Sequence, residues 1–189
     1  AAGNFTGPRF VNTEDLAFAG QNPEVMVRCG VDKRGSGRAA ISEDGGINWQ
    51  ALASQPPDGF GAGNITLSAD GRIMVWTPRC GRPFYSLDRG TNWTACAGLS
   101  WRDEVAADRV DASRFYAFEP RTSRFFVSTN GAAGFIVTTN QFPPAGEFAG
   151  SFGRQGNVLA AAPDKPGDVW LLLRQNGLFH STDGGTSFI

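Results

Sequence analysis

Three aspartates recur at one place in a short pattern, Ser-x-Asp-x-Gly followed by an aromatic residue. The copies are SEDGGINW (42–49), SLDRGTNW (86–93), STDGGTSF (181–188) and the degenerate STNGAAGF (128–135). A carboxylate in such a turn can accept hydrogen bonds from backbone N–H groups of its own segment. The glycine supplies a backbone angle that other residues resist, and the aromatic residue packs inward. We therefore interpret Asp44, Asp88 and Asp183 as residues that build turns rather than as catalytic carboxylates.

The pattern also has a long period. Its serines lie at positions 42, 86, 128 and 181, so it returns after 44, 42 and 53 residues. A repeat of roughly 40–50 residues is typical of a propeller blade or another stacked unit.

The second repeat shows most clearly which elements carry these turns. Short β-type segments at 63–70, 72–78, 83–88 and 92–98 are separated by turn signals such as Asp70-Gly71. Four antiparallel strands make one blade of a β-propeller, and helical periodicity is nearly absent. The sequence therefore predicts an all-β propeller.

The other repeats fit the same template. Further strands are predicted at 15–19, 24–30, 38–42, 48–52, 104–108, 114–120, 124–128, 134–139, 157–163, 168–174 and 177–181. The chain is accordingly predicted to be a single partial propeller with blades at approximately 12–52, 62–99, 104–139 and 155–189.

Composition narrows the classes of partner. The chain has 17 basic and 18 acidic residues, a net charge of -1 and no run of either sign. This balance argues against a nucleic-acid partner and against electrostatic binding to a membrane. No segment approaches the roughly 20 apolar residues that a membrane span needs.

The residue types that hold metals or cofactors are sparse. His180 is the single histidine, and one histidine without a carboxylate or cysteine cluster makes no metal site. A phosphate-binding loop and a Ser-His-Asp set are also missing, so we expect no cofactor and no metal. Three cysteines, Cys29, Cys80 and Cys96, are too few for a disulfide framework. Either Cys80 and Cys96 pair across one hairpin, or all three thiols are unpaired.

The turn pattern resembles the Asp-box, or BNR repeat, of sialidases, sortilin-type receptors, photosystem assembly factors and glycoside hydrolase family 74 xyloglucanases. The residues between the boxes resemble the C-terminal half of a family-74 xyloglucanase over nearly the whole chain. The matching segments are 12–30, 65–78, 84–99, 106–120 and 168–188.

This resemblance implies a function. Family-74 enzymes have two seven-bladed propellers facing each other across an open cleft, and they hydrolyse the β-1,4-glucan backbone of xyloglucan with inversion. One aspartate acts as general acid and another as general base, one from each propeller. The resemblance thus implies about four blades of a seven-bladed ring, belonging to a secreted, extracellular, xyloglucan-specific endo-β-1,4-glucanase.

The catalytic pair is expected to lie elsewhere. In the family, the aspartate of the C-terminal propeller lies a few tens of residues before the segment that matches NTEDLAFAGQNP (12–23), and residues 1–10 contain no aspartate. The other aspartate belongs to the N-terminal propeller. We therefore assign no catalytic residue in this chain and expect it to supply scaffold and cleft surface.

Substrate contacts are predicted on one face of the propeller. The loops that join successive blades share a face with the middle hairpin loops, and the box turns lie on the opposite face. Aromatic rings there can stack on sugar rings. The predicted substrate-binding residues are Trp101, Arg34, Arg79, Phe152 and Trp76, with Phe60, Phe142 and Phe148 on the same face.

The five tryptophans differ in their predicted roles. Trp101 lies in a polar loop and is the first choice as a sugar platform, whereas Trp76 fits a core position better than a substrate contact. Trp49, Trp93 and Trp170 are interpreted as core residues.

Two other functions remain open. The first is a non-catalytic Asp-box module that binds a glycan or a protein, as sortilin-type propellers do. The second, a sialidase, needs an arginine cluster, a glutamate and a tyrosine nucleophile, but Tyr85 and Tyr116 both lie within predicted strands. Because four blades leave two open apolar flanks, we expect missing propeller segments or a second chain to complete the ring.

Overall fold

A computed structural model of the chain describes residues 13–57, 61–100, 103–144, 158–174 and 176–189. Within these ranges the protein is all-β, with fifteen strands and no helix. The strands are β1 (Asp15–Phe18), β2 (Met26–Val31), β3 (Gly37–Ser42), β4 (Gln50–Ala51), β5 (Asn64–Leu67), β6 (Met74–Thr77), β7 (Phe84–Ser86), β8 (Thr94–Ala95), β9 (Glu104–Ala107), β10 (Phe115–Glu119), β11 (Arg124–Ser128), β12 (Ile136–Val137), β13 (Val158–Ala161), β14 (Val169–Leu173) and β15 (Gly177–Ser181).

The strands form four antiparallel sheets in chain order. The first three sheets are β1-β2-β3-β4, β5-β6-β7-β8 and β9-β10-β11-β12, and the fourth is β13-β14-β15. The first strand of each sheet contacts the first strand of the next, so that β1, β5, β9 and β13 lie innermost. This is the arrangement of four propeller blades, and it confirms the predicted fold class.

Each of the fifteen strands overlaps a predicted one. The outermost strands β4, β8 and β12 have only two residues each, which is shorter than predicted. Short edge strands limit pairing with other chains, so this difference is physically reasonable. The limits of the four blades remain a prediction.

Apolar layers between neighbouring sheets form the core. Val27, Cys29 and Trp76 belong to the layer between the first and second sheets. The central strand β10 shows how a sheet serves two layers at once. Its Phe115 and Ala117 face the second sheet, and its Tyr116 and Phe118 face the fourth. Alternate side chains of a strand point to opposite faces, so both faces of this sheet are buried.

The box turns are closed by their own side chains, as predicted. In the second box, Ser86 Oγ donates a hydrogen bond to Asp88 Oδ1 at 2.9 Å and accepts one from the N–H of Gly90 at 2.8 Å. Asp88 in turn accepts the backbone N–H of Asn92 at 2.8 Å and its side-chain amide at 2.6 Å. Gly90 has a φ of 77°, which an L-residue rarely adopts. The boxes at Asp44 and Asp183 are closed by equivalent hydrogen bonds.

The innermost strands are linked by side chains at their first residues. In each case the first residue of one inner strand accepts a hydrogen bond from the second residue of the next. The three contacts are Ile65 N–H to Asp15 Oδ2 (2.9 Å), Val105 N–H to Asn64 Oδ1 (3.4 Å) and Leu159 N–H to Glu104 Oε1 (3.4 Å). We call these contacts axial latches.

A second kind of link joins the third and fourth sheets at the opposite end. Asp108 is buried and accepts the hydroxyl of Tyr116 at 2.7 Å and the N–H of Gly167, in the turn between β13 and β14, at 2.8 Å. The N–H groups of Val110 and Asp111 donate to its other oxygen. Burial alone would raise the pKa of Asp108, but these hydrogen bonds outweigh it and hold the pKa below its usual value.

The outer faces of the first and last sheets carry exposed apolar side chains, although Arg28 and Ala40 on the first of these faces are buried. Leu16 and Phe18 project from the first sheet, and we call this surface the first flank. The last flank consists of Val158, Trp170, Leu172 and Leu178. The interpretation of Trp170 as a core residue is therefore wrong. Its side chain is 37% exposed and stacks on the ring of His180 at 3.7 Å, because no further sheet covers that face of β14 among the described residues.

Replacing Asp88 tests the box turn. The amide groups of Asn92, first the backbone N–H and then the side chain, lower the pKa of Asp88 to about 2. Its folded pKa lies below the unfolded one, so its contribution to stability is present above about pH 4 and is lost as the pH falls towards 2. Asp88→Ala should lower the urea unfolding midpoint at pH 7 more than Asp88→Asn, since asparagine keeps the acceptor, as Asn130 does in the degenerate box.

Asp88→Asn should also weaken the acid dependence of that midpoint between pH 4 and 2. Equal midpoints for the two variants at pH 7 would show that the hydrogen bonds of Asp88 do not hold the turn.

Tyr116→Phe tests the link through Asp108. It removes a hydrogen bond to a buried carboxylate and should lower the free energy of unfolding by roughly 1.5–3 kcal/mol in urea titrations. Tyr85→Phe is the matched control, since the structure shows no hydrogen bond from the Tyr85 hydroxyl among the described residues. An equal loss of stability in both variants would contradict this role.

Candidate substrate-binding face

The turns after β2, β6, β10 and β14 and the connections between sheets emerge at one end of the strands. We call this end the binding face. The box turns and the β1–β2 type hairpins emerge at the other end. The binding face carries two of the predicted substrate contacts in described positions, Arg34 and Arg79.

Arg34 is exposed on the turn between β2 and β3. Asp32 holds that turn, because its Oδ1 accepts the N–H groups of Arg34 at 2.8 Å and Ser36 at 3.0 Å. Its Oδ2 pairs with Arg38 Nη2 at 2.8 Å. Desolvation by itself would raise the pKa of Asp32. The two N–H groups and the nearby arginines lower it by more, so the pKa of Asp32 lies below its usual value. The Arg34 side chain is thus presented to solvent from a fixed backbone.

Arg79 lies on the neighbouring turn, between β6 and β7, and is held by the first sheet. Its Nη2 pairs with Glu14 Oε2 at 2.6 Å, and the same oxygen accepts the N–H of Gly63 at 3.3 Å. Gly61 packs directly under the Arg79 side chain, where an added Cβ would lie 3.0 Å from Arg79 Cβ. The guanidinium of Arg79 is therefore oriented across the junction of two blades.

Trp76 does not reach this face, and its prediction as a substrate contact is wrong. Its side chain is 1% exposed, and its Nε1–H donates to the carbonyl of Ala62. Its ring packs edge-on against Trp93, with ring centroids 5.8 Å apart. Trp76 instead occupies the core position that its place in a predicted strand also indicated. Trp49 and Trp93, predicted as core residues, are half-buried.

The aromatic residues of the loops divide into two groups. Trp101, Phe152, Phe60 and Phe148 lie outside the described residues. Phe142 is described, and it packs in a ring cluster instead of offering a free face. Its centroid lies 5.1–6.2 Å from those of four other phenylalanines, Phe118, Phe125, Phe179 and Phe188. Phe142 therefore fills the layer between the third and fourth sheets.

Two carboxylates that sequence analysis did not pair meet on the binding face. Asp103, 1% exposed, accepts the N–H of Ser100 at 2.7 Å through Oδ2. The Ser100 hydroxyl donates to Glu119 Oε1 at 3.1 Å. Burial, and then the nearby charge of Glu119, raise the pKa of Asp103 to about 6. Glu119 is the last residue of β10, and the pairing of Phe118 with Glu104 in the β9–β10 hairpin places Glu119 beside Asp103.

The remaining candidate groups serve structural contacts. His180 Nε2 lies 2.8 Å from Asp168 Oδ1, and Lys165 Nζ lies 3.3 Å from the other oxygen of Asp168. Among the residues that the structure describes, no group of three His, Cys, Asp or Glu side chains is placed to hold a metal. The cysteines are free thiols, so Cys80 and Cys96 do not pair. No helix of the described chain is long and apolar enough to cross a membrane.

Comparison with known proteins connects this architecture to an enzyme family. No protein-family model matches the chain. The chain is 34% identical to a xyloglucanase of Paenibacillus sp over 194 residues, which covers 97% of this chain and 18% of that protein. It superposes on the crystal structure of a GH74 xyloglucanase from Xanthomonas campestris with a TM-score of 0.87 and 34% identity, over 98% of this chain and 26% of the other.

The chain is homologous to a segment of the family-74 xyloglucanases. It is also 32% identical to a probable oligoxyloglucan-reducing end-specific xyloglucanase of Neosartorya fischeri, over 94% of this chain and 24% of that protein. The chain thus spans about a fifth to a quarter of the length of the relatives that it matches. The predicted family resemblance is confirmed.

Asp103→Asn tests the strain stored in the carboxylate pair. The pKa of Asp103 in the folded protein is about 6, above the usual value of 3.8. The free energy of unfolding of the parent protein therefore falls as the pH rises from 4 through 6. The asparagine variant should therefore be more stable than the parent at pH 7.5, by about 1–2 kcal/mol in urea unfolding, and nearly equal to it at pH 4. A variant that is less stable than the parent at both pH values would contradict this account.

Proposed function

We propose that this chain is part of a secreted xyloglucan-specific endo-β-1,4-glucanase, an inverting glycoside hydrolase, and that it supplies propeller scaffold and substrate-cleft surface. The observation that carries the proposal is its similarity to xyloglucanases along nearly all of its length, in both sequence and fold. An extracellular location goes with this proposal, because a polymer of the plant cell wall is degraded outside the cell that secretes the enzyme.

Arg34 and Arg79 are the described residues that we assign to the substrate. Xyloglucan is uncharged and carries many hydroxyl groups, which a guanidinium can contact with several N–H donors in a fixed plane. Arg79 is already oriented by Glu14, so little side-chain entropy is lost when it binds a sugar. Trp101 and Phe152 remain proposed stacking platforms for the sugar rings.

We assign no catalytic acid or base to this chain. Inverting hydrolysis needs two carboxyl groups on opposite sides of the scissile bond, roughly 6.5–9.5 Å apart. The described carboxylates Asp44, Asp88 and Asp183 are engaged in box turns, and Asp108 links two sheets. These engagements support a catalytic pair contributed by segments outside the 189 residues.

The two open flanks support a partner in addition to the polysaccharide. The apolar side chains of Leu16, Phe18, Trp170 and Leu178 resemble one half of the layers that lie between the observed sheets. We propose that further propeller segments, or a second chain, cover both flanks in the complete enzyme.

The proposal is tested by incubating the 189-residue chain with tamarind xyloglucan and measuring both binding, by affinity electrophoresis, and new reducing ends. We expect binding without cleavage. Arg34→Ala and Arg79→Ala should each weaken binding about threefold to tenfold, the effect of one or two hydrogen bonds. Arg72→Ala is the matched control, because Arg72 is an exposed arginine at the opposite end of the strands.

Release of reducing ends would contradict the assignment of catalysis to other segments and would turn attention to Asp32, Asp103 and Asp108. Binding that is lost in Arg72→Ala but kept in the other two variants would contradict the assignment of the binding face. Absence of binding would contradict the proposal that this segment carries cleft surface.

A further inference from the structure

Charge is distributed unequally between the two ends of the strands. The described residues at the binding face carry eight cationic side chains and six carboxylates, whereas those at the box end carry five and ten. The whole chain has a net charge of -1, so the positive excess on the binding face comes from the fold and not from composition. A ligand that approaches this face therefore meets a positive surface.

The unpaired positive charge lies on two neighbouring turns of this face. Lys33 and Arg34 are exposed on the turn between β2 and β3, and Arg82 is exposed on the turn between β6 and β7. None of the three side chains forms an ion pair with another residue that the structure describes. We call these three side chains the cationic patch.

The two turns pack together through the connection between the first and second sheets. An added Cβ on Gly37, which follows the first turn, would lie 2.4 Å from the carbonyl oxygen of Gly61. An added Cβ on Gly61 would lie 3.0 Å from the Cβ of Arg79, on the second turn. The cationic patch is therefore carried by one continuous surface across two blades.

The carboxylates beside the patch are already engaged. Asp32 Oδ2 pairs with Arg38 Nη2 at 2.8 Å, and Glu14 Oε2 pairs with Arg79 Nη2 at 2.6 Å. The remaining described carboxylates of the binding face lie at the start of β1 or around the third sheet, where they accept hydrogen bonds. The patch thus has no counter-ion among the described residues, and an uncharged polymer such as xyloglucan supplies none.

We propose that the cationic patch binds the carboxylate groups of an acidic polysaccharide built from uronic acid units. A guanidinium matches a carboxylate with two parallel N–H donors, and the lysine adds a compact positive charge. A polymer with regularly spaced carboxylates reaches both turns at once, which gives it an advantage over a single uronic acid. The inference adds a charged ligand to the proposed function, and it rests on that function only for the choice of a glycan over an acidic protein.

The test compares two forms of one polymer by isothermal titration calorimetry with the 189-residue chain. Polygalacturonate carries the carboxylates, and its fully methyl-esterified form has the same backbone without charge. We expect the chain to bind polygalacturonate and not the ester. This binding should weaken at least about tenfold between about 0.01 M and 1 M salt, because the screening length falls from about 30 Å to about 3 Å.

Variants assign the binding to the patch. Lys33→Gln and Arg82→Gln should each weaken polygalacturonate binding about threefold to fivefold, the effect of one charge close to a carboxylate in water. Both should leave binding of xyloglucan unchanged, since Arg34 and Arg79 are kept. Arg72→Gln is the matched control, because Arg72 is an exposed arginine at the box end.

Equal binding of the two polymer forms, binding that salt does not weaken, or an equal loss in Arg72→Gln would overturn the proposal. Binding of poly-L-glutamate without binding of polygalacturonate would also overturn it, since the patch would then recognise an acidic protein. Binding of polygalacturonate by a chain that does not bind xyloglucan would contradict the proposed function and support this inference.

Discussion

Each sheet of this protein has two apolar faces, and the rest of the structure depends on burying both against neighbouring sheets. The third sheet shows the requirement most directly, because Phe115 faces one neighbour and Tyr116 and Phe118 face the other. Fully burying one such side chain stabilises the fold by about 1.5–3 kcal/mol. No blade gains enough of this burial alone, so the blades are stable as a stack, and the stack ends in two apolar flanks.

In the stacked sheets, the two ends of the strands carry different kinds of turn. At one end, box turns close on themselves through Ser–Asp hydrogen bonds, and Asp108 links adjacent blades. At the other end, turns such as 32–36 and 78–83 return the chain, with the Arg34 side chain in solvent and Arg79 paired with Glu14. Most acidic side chains are committed to structure, and this agrees with a chain that contributes surface to a cleft while other segments contribute the reacting carboxylates.

The fold was predictable from sequence because its signals are local and repeated. The turn boxes recur every 42–53 residues, and short β-type segments lie between turn residues; together these signals predicted each of the fifteen described strands. The hydrogen bonds of the boxes were predicted from their residue types. The environments of the tryptophans were less predictable. Trp76 is buried and Trp170 exposed although both lie on central strands, because their burial depends on whether another sheet covers that face.

The site contacts were hidden for a related reason. Asp103 and Glu119 lie side by side through the exact register of β9 and β10, and the axial latches use three different residue types at equivalent positions. Neither arrangement leaves a motif in a single sequence. Phe142 was wrongly predicted to lie on the binding face. The composition of a Pro-rich connection does not show whether its phenylalanine packs inward or faces a ligand.

The separation of a binding face from a structural face is the central claim, and chemical-shift mapping tests it most directly. Backbone amide signals of the 189-residue chain would be recorded during titration with xyloglucan oligosaccharides. The account predicts shifts confined to the binding-face turns at 32–36, 78–83 and 120–123 and to the connections between blades, with the box turns at 42–49 and 86–93 unchanged. Shifts centred on the box turns, with the binding face unaffected, would contradict it.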